Sequence, residues 1–210
     1  MQKIVILGGG GHAKVLIDLI RTSGRYEIAG ILDPQLEIRS AFVGIPVLGS
    51  DDLLPKLYAD GIKNTCIAVG SIKADNKRKI LFEKAKRIGF TVPSLVHPQA
   101  IISENAEINR GAQIMAGAII QTGSSIGENV VIYSGAIIEH DCQVKSHSHI
   151  CPGATLSGGC VVGENSFIGA GATVIQGIVI GSDVTVGAGS VVIKDVPDGV
   201  TIKGVPAKGE

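Results

Sequence analysis

Residues 114–138 read IMAGAIIQTGSSIGENVVIYSGAII, and Ile stands at every sixth position of this stretch. The spacing continues in both directions, so that sixteen successive positions all hold Ile, Val or Leu: Ile102, Ile108, Ile114, Ile120, Ile126, Ile132, Ile138, Val144, Ile150, Leu156, Val162, Ile168, Val174, Ile180, Val186 and Val192. A period of six matches neither the 3.6-residue repeat of an α-helix nor the alternation of a single sheet face. It is typical of a solenoid of short strands and tight turns whose aliphatic side chains point inward.

This repeat resembles the left-handed parallel β-helix of the hexapeptide acyltransferases, in which three hexads close one triangular coil. The resemblance implies the handedness, about which the period itself says nothing. Sixteen hexads correspond to about five coils, and a strand spacing of ~4.8 Å makes the prism roughly 25 Å tall. Gly127-Glu128-Asn129 and Gly163-Glu164-Asn165 follow strands and suit corners that need unusual backbone angles.

Composition limits the classes of partner. The 19 basic and 19 acidic residues balance, so no overall field favours nucleic acid or an acidic membrane surface. Aromatic residues make up 3% and Trp is absent, which removes the stacking platforms of single-strand binders. The first residues predict a strand rather than a signal peptide, and no apolar run reaches the ~18 residues of a membrane span. We therefore expect a cytoplasmic protein that binds no nucleic acid and does not insert into a membrane.

The amino-terminal part predicts a small α/β domain. Lys3–Leu7 indicates a strand, Ala13–Thr22 an amphipathic helix, and Tyr26–Leu32 a second strand that ends at Asp33. The later elements are a helix from Asp51 to about Asp60, a strand over Thr65–Val69, a helix from about Asn76 to Ile88 and a last strand over Phe90–Val96. Residues 1–97 are thus expected to form a Rossmann-like domain, and residues 98–210 a β-helix with a closing segment.

A glycine run joins the first strand to the first helix. Gly8, Gly10 and Ala13 partly meet the dinucleotide-binding fingerprint, and Asp33 lies where an acid would contact a ribose hydroxyl. Glycines let backbone N–H groups approach a phosphate at a helix N-terminus. Binding of a nucleotide-sugar is the preferred interpretation, while a purely structural turn and binding of a dinucleotide such as NAD stay open.

His140 stands between two acidic residues, in Ile138-Glu139-His140-Asp141-Cys142. Because the aliphatic position of a hexad is buried whereas its third and fourth positions lie toward a wall edge or corner, we expect His140 to be accessible. A carboxylate on one ring nitrogen would fix the tautomer and let the other nitrogen accept a proton. General-base catalysis of this kind is worth about 10²–10⁴ in rate.

The remaining histidines of the repeat and the cysteines do not form a convincing metal site. His147 and His149 lie in the next hexad, and no third ligand follows at a zinc spacing, so no metal is predicted. The four cysteines include no CxxC pair. Cys142 and Cys160 are one coil apart and are expected to be small buried hydrophobes rather than a disulfide.

Nearly the whole chain resembles the hexapeptide-repeat nucleotide-sugar acetyltransferases, a group that includes sialic acid O-acetyltransferases and UDP-4-amino-sugar and perosamine N-acetyltransferases. The residues that carry the resemblance are Gly8-Gly9-Gly10-Gly11-His12, Asp33, Ala68-Val69-Gly70, His97-Pro98, Ile138-Glu139-His140-Asp141-Cys142 and Gly204-Val205-Pro206-Ala207-Lys208.

The resemblance implies the activity and the site. It implies an acetyl-CoA-dependent N-acetyltransferase that acts on a nucleotide-linked 4-amino-4,6-dideoxy sugar for a bacterial surface glycan. His140 would act as general base, aided by Asp141, and the amine would attack the thioester directly. Gly10, Gly11, His12, Asp33 and Gly70 would hold the nucleotide-sugar, and His149, Gly158, Ala170 and Ala188 would contact acetyl-CoA. A homotrimer with the coenzyme between neighbouring prisms is also implied.

Alternatives remain at this stage. An O-acetyltransferase acting on sialic acid or a related sugar would use the same histidine base. A β-helix protein without catalytic activity, or one that binds a metal through histidines, belongs to another class, as does a dinucleotide-dependent sugar enzyme. Pro34, which stands where some relatives carry a second acid, leaves the choice between uracil and guanine open.

Overall fold

The protein is described here from a computed structural model that covers residues 1–209. The chain forms two compact units. The first, which we call the α/β unit, contains Met1–Gly70 and Lys77–Leu95. The second, the prism unit, contains the short segment Ser71–Asn76 and the chain from Val96 onward.

The α/β unit is built on a five-stranded sheet with the strand order β3-β4-β2-β1-β5. The strands β1, β2, β4 and β5 are parallel, and β3 pairs antiparallel with β4 at one edge. The elements in chain order are β1 Gln2–Leu7, α1 Gly11–Ser23, β2 Tyr26–Leu32, β3 Ala41–Phe42, β4 Ile45–Gly49, a 3-10 turn Asp51–Leu53, α2 Leu54–Ala59, β5 Asn64–Ile67 and α3 Lys77–Ile88.

The formation of helix α1 is explained by the spacing of its apolar residues. Ala13, Leu16, Ile17, Leu19 and Ile20 are buried on one face, while the lysine and aspartate between them are exposed. The helix ends at Gly24, which adopts a left-handed conformation with φ of 62° and donates its N–H to the carbonyl of Ile20. The glycine run therefore connects β1 to the N-terminus of α1, as the sequence predicts.

The strand predicted over Phe90–Val96 is wrong. Thr91 alone forms a bridge to Asn64 in the α/β unit, and the chain regains strand structure only at Leu95–Val96, as β6. Strand β6 belongs to a sheet of the prism rather than to the α/β sheet. Pro93 lies between the two pieces and has no N–H to donate to a ladder, which explains the interruption.

The prism unit contains sixteen two-residue strands at six-residue intervals. They are β7 Ile101–Ile102, β8 Glu107–Ile108, β9 Gln113–Ile114, β10 Ile119–Ile120, β11 Ser125–Ile126, β12 Val131–Ile132, β13 Ile137–Ile138, β14 Gln143–Val144, β15 His149–Ile150, β16 Thr155–Leu156, β17 Val161–Val162, β18 Phe167–Ile168, β19 Thr173–Val174, β20 Val179–Ile180, β21 Thr185–Val186 and β22 Val191–Val192. Each strand from β7 to β19 pairs in parallel with the strand eighteen residues further on, as Ile119 pairs with Ile137 and Ile137 with Thr155.

Three sheets of six, five and eight strands result, one for each wall of the prism. We call them the six-, five- and eight-stranded walls. The strands β23 Thr201–Gly204 and β24 Ala207–Gly209 extend the eight-stranded wall, and β24 turns back antiparallel to β23. This is the parallel β-helix that the repeat predicts, in the left-handed form that the family resemblance implies.

The interior of the prism holds the aliphatic residues of the repeat. All of them are buried from Ile114 to Val192, whereas Ile102 and Ile108 at the open first coil are only partly buried. Cys142 and Cys160 lie among them as free thiols, and the hydrogen bond with the Cys160 thiol, together with burial, raises the pKa of the Cys142 thiol. The expectation that these cysteines are small core residues is therefore confirmed.

The segment 71–76 is held on the prism by hydrogen bonds. The backbone N–H of Ala74 donates to Thr185 Oγ1 at 3.1 Å, and Asn165 Nδ2 donates to Asn76 Oδ1 at 3.2 Å. No helix between Met1 and Gly209 is long and apolar enough to cross a membrane.

Candidate active site

His140 and Asp141 form the corner between β13 of the six-stranded wall and β14 of the five-stranded wall. Ile138 and Cys142 on either side point into the core and are fully buried. The two polar side chains between them project outward, and His140 is 52% exposed. The His140 Nδ1 and Asp141 Oδ2 atoms are 2.9 Å apart, so the pair predicted from the sequence is joined by a hydrogen bond.

The corner is fixed by its neighbours in the coils before and after it. The N–H of Asp141 donates to the carbonyl of Thr122 at 3.0 Å, and the N–H of Gly159 donates to the carbonyl of His140 at 2.8 Å. Ser124 Oγ donates to the carbonyl of Glu139 at 2.7 Å and accepts the N–H of Cys142 at 3.0 Å. The backbone on both sides of the pair is therefore restrained.

This geometry suits a general base. A carboxylate that accepts from Nδ1–H leaves the lone pair on Nε2, the nitrogen that is not bonded to Asp141. Asp141 adopts a left-handed backbone with φ of 60°, which is uncommon for a residue with a side chain. The same conformation recurs at the equivalent position of the other corners, for example at Asn129 and Asn165, so it belongs to the β-helix and is not specific to this site.

The other two histidines of the prism lie elsewhere. His149 is in β15 on the eight-stranded wall, where its ring is buried between Tyr133 and Phe167 at centroid distances of 6.1 and 6.0 Å. His147 is buried at the corner between β14 and β15, with its Nδ1 3.0 Å from Asn129 Nδ2. Neither is brought together with His140. Within residues 1–209, no group of three or more His, Cys, Asp or Glu side chains is arranged to hold a metal ion.

The residues predicted to contact acetyl-CoA are divided between two corners and one wall. Gly158 lies one coil beyond His140 at the same corner, directly against its ring. Ala170 and Ala188 are exposed, one coil apart, at the corner between the eight- and six-stranded walls. A single chain therefore does not gather these four residues into one pocket.

The α/β unit has a cavity of about 410 Å³ at the carboxyl ends of its parallel strands. Its lining comes from the ends of β1, β2 and β5 and the start of α3: Leu7, Gly8, Leu32, Asp33, Pro34, Gln35, Asp51, Val69, Lys77, Ile80 and Leu81. In the strand order β2-β1-β5 the chain changes direction across β1, and ligands of open α/β sheets bind at such switch points.

Asp33, the acid predicted to contact the nucleoside, lines this cavity. Its Oδ2 accepts the N–H of Gly9 at 2.7 Å and its Oδ1 accepts the N–H of Gln35 at 2.8 Å. The carboxylate is thus held in one orientation, and further lone pairs remain for a ligand hydroxyl. Gly70 follows Val69, which lines the same cavity, and is exposed.

Gly10 and Gly11 begin helix α1 beside the ends of β1 and β2. Both are exposed, and a Cβ built on either would find no atom within 4 Å. Gly10 is the N-cap and makes no side-chain capping hydrogen bond. His12 lies in the first turn and is half-buried. A helix N-terminus with open space in front of it can accept an anion such as a diphosphate.

Sequence reasoning missed several residues of both sites. Gln35, Asp51 and Lys77 line the cavity but belong to no motif, because the fold brings them together over more than forty residues. Gly123 contacts Asp141 from the preceding coil. An offset of eighteen residues from Asp141 would have found it, since that offset is the length of one coil.

Comparison with known proteins identifies the two parts of the chain. The profile of the PglD N-terminal domain matches residues 3–85, and the bacterial transferase hexapeptide profile matches residues 123–158 and 159–194. A mutant of GDP-perosamine N-acetyltransferase from Caulobacter crescentus, crystallised with CoA and GDP-perosamine, has a similar structure. It is 40% identical, with a TM-score of 0.95 over 100% of this chain and 97% of its own. The chain belongs to the hexapeptide-repeat nucleotide-sugar acetyltransferase family.

Two further relatives agree with this assignment. The acetyltransferase domain of PglB from Neisseria gonorrhoeae, in complex with acetyl coenzyme A, is 40% identical with a TM-score of 0.92, over 100% of this chain and 99% of that one. UDP-N-acetylbacillosamine N-acetyltransferase of Bacillus subtilis is 39% identical over 120 residues, which are 55% of this chain and 52% of that protein. The match therefore spans about half the length of this curated relative. The predicted family and fold class are confirmed.

Proposed function

We propose that this protein transfers an acetyl group from acetyl-CoA to the amine of a nucleotide-linked 4-amino-4,6-dideoxy sugar, for a bacterial surface glycan. The observation that carries the proposal is the His140–Asp141 pair, hydrogen-bonded at 2.9 Å and exposed at a corner of the β-helix. The relatives support it, since one is an N-acetyltransferase crystallised with CoA and a GDP-linked amino sugar.

His140 and Asp141 are the catalytic residues of this proposal. His140 Nε2 takes a proton from the sugar amine while the amine nitrogen attacks the thioester carbonyl carbon. The C–S bond of the tetrahedral intermediate then breaks, and the imidazolium returns the proton to the departing CoA thiolate. Asp141 holds the Nδ1–H tautomer throughout and stabilises the imidazolium. No acyl-enzyme forms.

Binding of the two substrates is assigned to separate parts of the chain. Gly10, Gly11 and His12 would hold the diphosphate and sugar at the N-terminus of α1, and Asp33 and Gly70 would contact the nucleoside in the α/β cavity. The open space before Gly10 and Gly11 and the fixed carboxylate of Asp33 support this assignment.

Acetyl-CoA is assigned to Gly158, Ala170, Ala188 and His149. Gly158 lies against the His140 ring. Ala170 and Ala188 are exposed at another corner, which suits a homotrimer in which the coenzyme binds between the corners of neighbouring prisms. His149 is buried on a wall, so its assignment is supported by the family resemblance alone. We further infer a cytoplasmic location, where acetyl-CoA and nucleotide-sugars are both present.

The proposal is tested by thiol release from acetyl-CoA. The purified protein is assayed with UDP- and GDP-linked 4-amino-4,6-dideoxy sugars and with sialic acid as acceptors. Fast release with one amino sugar, with acetylation of its nitrogen shown by mass spectrometry, is the expected result and also identifies the nucleotide. Release with sialic acid alone would replace the proposal with an O-acetyltransferase, and no release with any acceptor would contradict both.

A further inference from the structure

The catalytic corner lies between two glycines, one in the coil before it and one in the coil after it. Gly123 is eighteen residues before Asp141, and a Cβ built on Gly123 would overlap Asp141 Oδ1 and lie 3.4 Å from its Cγ. Gly158 is eighteen residues after His140, and a Cβ built there would overlap Nε2 and Cε1 of the imidazole and lie 3.1 Å from Cδ2. Neither side chain of the pair could keep its place beside a larger residue.

The conflict at Gly123 is not a general property of its position in the coil. Gly177 occupies the same position as Gly123 in a later coil, three coils further along, with φ of 74° against 71° for Gly123. A Cβ on Gly177 meets no atom within 4 Å. The left-handed backbone alone explains why Gly177 is glycine. At Gly123 there is a second reason, which is the carboxylate of Asp141.

The two contacts act on the atoms that matter for proton transfer. Gly123 lies against Oδ1 of Asp141, and the other carboxylate oxygen, Oδ2, is hydrogen-bonded to His140 Nδ1. Gly158 is buried under the ring edge that carries Nε2, the nitrogen proposed as base. Small displacements of a catalytic group matter, because a misplacement of about 1 Å can cost about 10²-fold in rate.

We propose that Gly123 and Gly158 are positioning residues, which set the orientation of the His140–Asp141 pair by the absence of a side chain. This inference rests on the proposed function for its effect on catalysis. The orientation itself can be measured without any substrate. In both glycine variants the group that must move is a side chain at an exposed corner, so the β-helix is expected to stay folded.

The first test compares Gly123→Ala with Gly177→Ala. Both substitutions place Ala in the left-handed region, so both carry the same backbone strain, but only the first displaces Asp141. Gly123→Ala is expected to lower kcat by about 10-fold with the KM for acetyl-CoA unchanged, because base orientation is lost while binding is kept. Gly177→Ala is expected to keep kcat within about 2-fold and to lose a similar amount of thermal stability.

The second test removes the group through which the glycines act. In a His140→Ala background, Gly123→Ala is expected to cause no further loss of rate, because its effect passes through the imidazole. Gly158 is also assigned to acetyl-CoA, so its variant is judged by the tautomer of the His140 ring rather than by rate. Gly158→Ala carries no left-handed strain, and it therefore tests the inference if Gly123→Ala fails to fold. An equal loss of rate with and without His140 would overturn the positioning role.

The third measurement does not depend on activity. The ¹⁵N chemical shifts of the His140 ring should show one tautomer, with Nδ1 protonated, in the wild type and in Gly177→Ala. In Gly123→Ala and Gly158→Ala they should show a mixture of tautomers, because the bond to Asp141 is weakened. An unchanged tautomer in both glycine variants would overturn the inference. A wild type that acetylates no sugar would contradict the proposed function, while the tautomer result would still decide the role of the glycines.

Discussion

At the scale of single residues, the proposed chemistry depends on one nitrogen of His140 and on the carboxylate that orients its ring. Asp141 stands in a left-handed backbone with φ of 60°, where Asn is also tolerated. Asp141→Asn should therefore keep the corner and a neutral acceptor for Nδ1–H while removing the charge. We expect kcat to fall about 10-fold, because general-base catalysis as a whole is worth about 10²–10⁴. Steady-state kinetics would contradict this role if the variant kept the wild-type kcat.

Gly11 allows a test of the nucleotide-sugar site at the same scale. A side chain at this position meets no protein atom within 4 Å, so Gly11→Val should leave the fold intact and occupy the space before the helix N-terminus. We expect the KM for the nucleotide-sugar to rise about 10-fold or more, because the backbone N–H groups no longer reach the phosphate. Lys14→Val, on an exposed position of the same helix, is the control. An equal KM in the two variants would mean that the glycine run has only a structural role.

At the scale of elements, each two-residue strand contributes one inward aliphatic side chain. Ile150 in β15 is fully buried, and a lone carboxylate in its place has no partner inside the prism. Ile150→Asp should prevent folding of the β-helix or lower its thermal midpoint by more than 10 °C, roughly 3 kcal/mol or more. Gln143→Asp places the same charge at an exposed outward position of β14 and should change the midpoint little. Circular dichroism melts of the two variants separate these outcomes, and equal midpoints would contradict the inward register.

The sequence predicts these elements to different degrees. The walls of the prism are predictable because each hexad repeats the same local pattern, and the 18-residue register follows from three hexads per coil. The interruption of the strand expected over Phe90–Val96 is harder to predict. The apolar residues around Pro93 fit a strand pattern, but Pro93 has no N–H to donate to the sheet. The docking of residues 71–76 through Asn165 and Thr185 depends on contacts between residues about ninety or more positions apart. No local pattern contains that information.

In the candidate site, too, local arrangements are predictable from the sequence and contacts between distant residues are not. The His140–Asp141 pair is predictable because both partners lie in one hexad. The lining of the α/β cavity is not, because Asp51 and Lys77 reach it from separate loops. Gly123 becomes visible only when the chain is read in steps of one coil from Asp141.

At the scale of the whole molecule, the proposed coenzyme site requires more than one prism. Ala170 and Ala188 lie at a different corner from His140, so a coenzyme that contacts all of them would have to bind between copies. Sedimentation equilibrium should give three times the monomer mass. Mixed trimers of Ala188→Trp and His140→Asn should recover part of the activity that each variant lacks, since some interfaces would then combine two intact corners. A stable monomer with full activity would contradict this arrangement.

The most direct test of the central claim is the turnover of His140→Asn with acetyl-CoA and the amino-sugar acceptor of the wild-type enzyme. Asn is polar and smaller than His but cannot accept the proton, so we expect kcat to fall by about 10²–10⁴. The dissociation constant of acetyl-CoA, measured by calorimetry, should stay within about threefold, since the coenzyme is held by other residues. A near-normal kcat in this variant would contradict the assignment of His140 as the general base.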